Sequence, residues 1–98
     1  MTDERLTARM RFQIAGAVRA SISNDGLVLL DVQGGVVLAS NPIGARIWQL
    51  IESGLDGVEV ASRLAHEYDV PIERAERDVA AFLAALEAQG LVRAEPVC

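Results

Sequence analysis

The chain has 98 residues, a net charge of −5 and a hydrophobic content of 51%, of which only 4% of all residues are aromatic. These totals describe one domain with an aliphatic core and exclude a disordered segment. Lysine is absent and acidic residues dominate beyond residue 20. Nucleic-acid binders draw affinity from Lys and Arg that neutralise phosphates, so no nucleic-acid partner is expected.

The first twenty residues are mildly basic, with Arg5, Arg9, Arg11 and Arg19 against Asp3 and Glu4. Residues 1–16 hold no sustained period and are expected to form an irregular or partly mobile arm ahead of a domain over residues 17–94. The start "MTDERLTARMRF" lacks the apolar run of a signal peptide. No stretch approaches the ~20 apolar residues needed to span a bilayer. A cytoplasmic protein without a membrane partner is the expectation. The single cysteine, Cys98, ends the chain and has no second cysteine for an internal disulfide.

From Val18 the pattern changes. "VRASIS" alternates Val18, Ala20 and Ile22 against Arg19, Ser21 and Ser23, which predicts a strand with one buried face. Asn24, Asp25 and Gly26 follow, residues that tolerate the positive φ angles of tight hairpins. "LVLLDV" reads as a second, more continuously apolar strand. "QGG" supplies another turn, and "VVLA" over residues 36–39 a third, short strand. Three strands joined by two tight turns make an antiparallel meander.

The period then switches to that of helices. Asn41 before Pro42 is a helix start: Asn accepts a bond from an orphan amide, and Pro lacks an amide to leave unpaired. Ile43, Ile47, Leu50 and Ile51 form the buried stripe of the first helix, with Gly54 placed to end it. Asp56 and Glu59 have capping-box spacing for a second helix, whose Ala61, Leu64, Ala65 and Tyr68 share a face. Arg63 stands four residues from both Glu59 and Glu67, the spacing of a solvated ion ladder. In the third helix Ile72, Ala75, Val79, Phe82, Leu83 and Leu86 form the core stripe, and Gly90 ends it. "LVRA" could add a closing strand. Three strands followed by three helices make an α+β domain.

No catalytic residue, metal ligand or cofactor-binding motif emerges. His66 is the only histidine and lies on the polar side of the second helix. No His/Cys/carboxylate cluster has metal-site spacing. Glu73, Glu76 and Asp78 beside Arg74 and Arg77 read as ion-paired helix surface rather than acid–base machinery. Gly34-Gly35 is a turn without the glycine pattern of a phosphate loop. An enzyme is therefore not expected.

Two features point instead to binding. The third helix carries a second line, Arg74, Asp78, Ala81, Ala85 and Ala88, whose small side chains would leave a shallow trough. Alanine is also the best helix former, so the line has an ordinary reading too. Independently, a three-stranded meander leaves its third strand at an edge. Natural edges are usually blunted by charge, Pro or bulges, and "VVLA" contains none. An unprotected edge beside a trough has both parts of a strand-addition site. The N-terminal arm, or a second copy forming a homodimer, could occupy the same edge.

The residues that carry a family likeness are now in view. They are the Leu/Val-rich strand with Asp31 and its Gly turn, Asn41-Pro42-x-Gly44-Ala45-x-x-Trp48, and Asp78-Val79-x-x-Phe82-Leu83-x-x-Leu86 ending in Gly90-Leu91-Val92. In this order, over roughly residues 18–93, the chain resembles the PqqD-like family. That family is named for the pyrroloquinoline quinone (PQQ) synthesis protein D and is the prototype of the recognition element of ribosomal peptide natural product pathways. The resemblance implies a winged helix-turn-helix-like fold and non-catalytic binding of a precursor peptide's leader segment. The leader would add to the third strand and lie against the third helix.

Carried over residue by residue, the resemblance implies backbone bonds from Val36, Val37, Leu38 and Ala39. It implies apolar pockets at Ala81, Phe82 and Ala85 and attraction for leader acids at Arg74 and Arg77, with Asp78 beside them. The implied partners are the precursor peptide and a maturation enzyme, either a radical S-adenosylmethionine (SAM) protein or a lasso-type leader protease and cyclase. Two departures stand out. Family members often carry an aromatic residue before the Asn-Pro signal, where this chain has Leu38-Ala39-Ser40. The third helix begins at "VPIE" without an acidic or hydroxyl cap. The competing class is a winged-helix DNA-binding regulator. Against it, residues 55–90 hold only Arg63, Arg74 and Arg77 opposite eight carboxylates.

Overall fold

The computed structural model describes residues 10–96. Its centre is an antiparallel meander of β2 (Val18–Ser23), β3 (Gly26–Asp31) and β4 (Val37–Ser40), in the order β2-β3-β4. Three helices follow: α1 (Pro42–Glu52), α2 (Gly57–Tyr68) and α3 (Ile72–Ala88). A second, two-stranded sheet pairs β1 (Met10–Ile14) with β5 (Val92–Pro96). The fold is α+β, with the expected three strands and three helices at the expected places.

The expected irregular arm over residues 1–16 is corrected at its C-terminal end. Met10–Ile14 form a strand, with Phe12 buried at 6% exposure in the same core as the helices. Arg11 and Gln13 on the alternate positions are exposed. Met10, Phe12 and Ile14 alternate with Arg11 and Gln13 as a strand does, but the partner that makes them one, β5, lies some eighty residues away. Residues 1–9 and Cys98 lie outside the described residues.

The helix starts follow the local chemistry. Asn41 Oδ1 accepts the Gly44 N–H at 2.9 Å, and Pro42 opens α1. Asp56 and Glu59 close a reciprocal capping box at 2.8 and 2.9 Å. The α3 start at Pro71 has no side-chain cap, in keeping with "VPIE". In the β3–β4 turn Asp31 Oδ1 accepts the Gln33 and Gly34 amides, both at 3.0 Å. Asp31 is therefore an organiser of the turn, which is the local reason a carboxylate ends this strand.

Helix α1 packs over the central strand, and the core is built there: Leu27 and Leu29 of β3 with Ile47, Trp48, Leu83 and Leu86, all at or below 1% exposure. The face expected to be buried on β2 is covered only at its start, where Val18 is half-buried against the core. Val18, Ala20 and Ile22 stand opposite Asp31, Leu29 and Leu27, on the helix side of the sheet, yet Ala20 is exposed and Ile22 is 41% exposed. The helix layer covers β3 and stops short of β2. The hairpin closes at Asn24-Asp25 as expected, but of Asn24, Asp25 and Gly26 only Gly26 takes a positive φ, 137°. A Cβ there would run into the Ser40 carbonyl of β4, so glycine answers a close approach as well as a turn.

The expected Glu59–Arg63–Glu67 ladder does not form. Glu59 serves the capping box, and Glu67 reaches across to α1, where Arg46 Nε and a terminal guanidinium nitrogen hold its two oxygens at 2.8 and 2.7 Å. This hydrogen-bonded fork holds the Glu67 carboxyl below the usual glutamate range and raises Arg46 further. A carboxylate with a depressed folded pKa contributes stability above its unfolded pKa, about 4.3, and loses it as pH falls through the folded value. Both side chains remain roughly a third exposed, so screening keeps the contribution at or below about 1 kcal/mol. We therefore expect Glu67→Gln to lower urea-unfolding stability slightly at neutral pH. The gap to the wild type should close as pH drops below the ordinary glutamate range. A gap that persists unchanged in acid would assign the effect to packing.

Candidate functional site

β4 is four residues long and lies at the sheet edge. Among the described residues no strand pairs with its outer side. β1, the nearest thing to an N-terminal arm in the described chain, is committed to β5.

The hydrogen-bond phase of the meander decides which backbone groups face outward. The Asp31 N–H donates to the Val36 carbonyl at 2.9 Å, and the Val32 N–H to the Ala17 carbonyl on the opposite side at 3.1 Å. Antiparallel pairs alternate between bonded and non-bonded residues. In the observed register, Leu38 and Ser40 thus spend their amides and carbonyls on Leu29 and Leu27 of β3. Val37 and Ala39 turn theirs outward. Of the four residues expected to offer backbone bonds, these two do so. Val36 and Leu38 are bound inward, and proline at Leu38 would break the sheet rather than the free edge.

Side chains alternate in step. Val37 and Ala39 share the outer face with Leu30 and Val28, their cross-strand partners, and this face is apolar and open: Val37 is 63% exposed. Leu38 and Ser40 point to the helix side. A chain pairing with this edge would turn the residue opposite Leu38 toward the helices and its two neighbours outward, beside Val37 and Ala39.

On the helix side the edge opens into a groove of about 440 Å³ lined by Ser40, Asn41, Ile43, Gly44, Ile47, Arg74, Asp78, Ala81 and Phe82. Of the residues expected on α3, Arg74, Asp78, Ala81 and Phe82 meet in this groove. Arg77 and Ala85 are exposed on the same helix but do not line it. Phe82 is half-buried, one side on the core and one toward the groove. Arg74 and Asp78 stand 3.9 Å apart with both side chains more than half exposed, a loose pair that a charged ligand can compete for. Ile43, Arg74 and Asp78 also border a smaller apolar recess with Leu64, Tyr68, Val70 and Ala75. Ile43, Tyr68 and Ile72, expected in buried stripes, are each about two-fifths exposed at this end of the domain.

The α1 wall of the groove, Ile43, Gly44 and Ile47 with Ser40 and Asn41 before it, escaped the sequence reading as a site. A signal was present. Glycine at the third position of a helix costs roughly 1 kcal/mol against alanine and so asks for a reason. Here an added Cβ would collide with the Ser40 side chain and come within 3.0 Å of Phe82 Cε1. Among the described residues no group of three His, Cys, Asp or Glu side chains could hold a metal ion, and no helix is long and apolar enough to cross a membrane.

The family model for coenzyme PQQ synthesis protein D (PqqD) matches residues 26–92, from the start of β3 to the start of β5. The chain belongs to the PqqD family. Two solved structures are similar to it. One is TbiB1 in complex with the TbiA(beta) leader peptide, 34% identical, with a TM-score of 0.76 over 83% of this chain and 94% of that one. The other is a lasso peptide synthetase B1 complexed with the leader peptide, 31% identical, with a TM-score of 0.76 over 85% of this chain and 98% of that one. No curated protein matches the chain. Within this PqqD-family fold, the meander and three helices supply the edge and the groove together.

The bond phase is directly measurable. By amide hydrogen exchange we expect Leu38 and Ser40 to be protected with β3, while Val37 and Ala39 exchange at rates close to those of open chain. Protection of Val37 and Ala39 in the isolated protein would mean the edge is already occupied.

Proposed function

We propose that this chain binds the leader segment of a ribosomally made precursor peptide and presents it to a separate maturation enzyme, performing no chemistry itself. The leader adds as a strand to β4 and lies against α3. The observation that carries this reading is the coincidence of an edge left unpaired among the described residues with a groove opening directly beside it. Val37 and Ala39 offer backbone bonds that accept any sequence, and the groove from Ser40 to Phe82 selects among side chains. Arg74, with Arg77 on the next turn side, attracts acidic leader residues from the solvent. The two similar structures both hold leader peptides, which supports the same role here and favours a lasso-type leader protease and cyclase over a radical SAM protein as the enzyme.

A DNA-binding regulator is not favoured. The segment that would approach a duplex, residues 55–90, carries eight carboxylates against three arginines, and phosphate would be repelled.

Val37→Pro or Ala39→Pro removes one outward amide, and proline is tolerated at sheet edges. Each is expected to weaken leader binding at least about tenfold, by the loss of a backbone bond and the obstruction of its neighbour. Helix content by circular dichroism should be unchanged. Fluorescence anisotropy of a labelled leader peptide measures the first quantity, and random duplex DNA in the same assay should show no salt-dependent binding. Equal leader affinity for both proline variants and the wild type would rule out strand addition at β4.

A further inference from the structure

The edge and the groove belong to different elements, and one contact sets their relative position. Ser40 is the last residue of β4 and Gly44 lies in the first turn of α1; both line the groove, as does Phe82 from α3. A Cβ on Gly44 would lie 2.8 Å from Ser40 Cβ, closer still to Ser40 Oγ, and 3.0 Å from Phe82 Cε1. The three contacts differ in how they can yield. Ser40 Oγ can rotate away and the Phe82 ring can tilt. Ser40 Cβ cannot move without its own backbone, and that backbone is the end of β4, hydrogen-bonded to β3.

We infer that Gly44 is the positioning residue of the peptide site: by bringing α1 against Ser40 it sets the offset between the outward groups of Val37 and Ala39 and the groove. This rests on the leader-binding reading above. A peptide strand engages both parts at once, with its backbone on β4 and alternate side chains in the groove, so a small displacement of one against the other mismatches every anchored residue together. The Gly44 N–H already caps onto Asn41 Oδ1 at 2.9 Å, which holds the helix start in place and leaves the strand end as the part that gives. Alanine also has the higher helix propensity, which offsets the crowding and keeps the domain folded.

The test uses the full chain and two labelled probes: the TbiA(beta) leader peptide, and a peptide selected on the wild-type chain from a displayed random library. Gly44→Ala is expected to bind at least about tenfold more weakly, because recognition elements tolerate displacements of only about half an ångström. Amide shifts in the peptide-free variant should concentrate at residues 37–40 and at Phe82. Ser40→Gly placed in the same chain removes both Ser40 contacts and should restore binding. Ser40→Ala leaves the Cβ contact and should restore less. Ser40→Thr crowds the same point from the strand side and should weaken binding alike, which decides the matter if Gly44→Ala fails to fold. Wild-type affinity in folded Gly44→Ala, or in Ser40→Thr, overturns the inference while leaving leader binding intact. A wild-type chain that does not bind the TbiA(beta) leader and yields no binder from the library overturns the leader-binding reading and this inference with it.

Discussion

Ser40 occupies a crossing so tight that glycine stands on either side of it. A Cβ at Gly26 would strike its carbonyl, and one at Gly44 its side chain. The first contact lets β3 start directly beneath the end of β4; the second lets α1 leave the sheet without a linker and lie over Leu27 and Leu29. Everything downstream depends on that junction, because the angle at which α1 departs decides where α2 and α3 can pack. The groove is the space left when two elements meet at a point and diverge.

The same junction explains how so short a strand persists. β4 has four residues and, among the described residues, one partner strand, and an isolated pairing of that size would be marginal. It is held at one end by Asp31, whose carboxylate closes the turn, and at the other by the capped start of α1. The outward groups of Val37 and Ala39 take no part in holding the strand, so occupying them costs the fold nothing. A free edge is a hazard in most proteins. Here its shortness, and the presence of just two outward residues, limits what can pair with it.

Charge is arranged to keep this site apart from the rest of the surface. The strongest ion pair, Arg46 with Glu67, ties α1 to α2 and draws its strength from a two-point fork. Arg74 and Asp78, at the groove, are held loosely and remain exposed. Tight pairing is spent on helix packing and weak pairing is left where an incoming chain must compete.

Elements whose signals are local were legible in the chain: the Asn41-Pro42 start, the Asp56–Glu59 box, the glycine turns and the helical stripes apart from Ile43, Tyr68 and Ile72 all act over a few residues. So was the edge character of "VVLA", which needs only the order of three strands, and the family pattern carried with it the association of strand and helix. What tertiary structure alone decided are relations between distant segments. β1 exists because β5 pairs with it, and β2 is bare beyond Val18 on its helix-facing side because the helix layer ends over β3. Which amides of β4 point outward depends on hydrogen-bond phase, and a strand's side-chain pattern is the same for either phase. The α1 wall of the groove likewise arises from a contact between Ser40, Gly44 and Phe82, residues that period and propensity treat as unrelated.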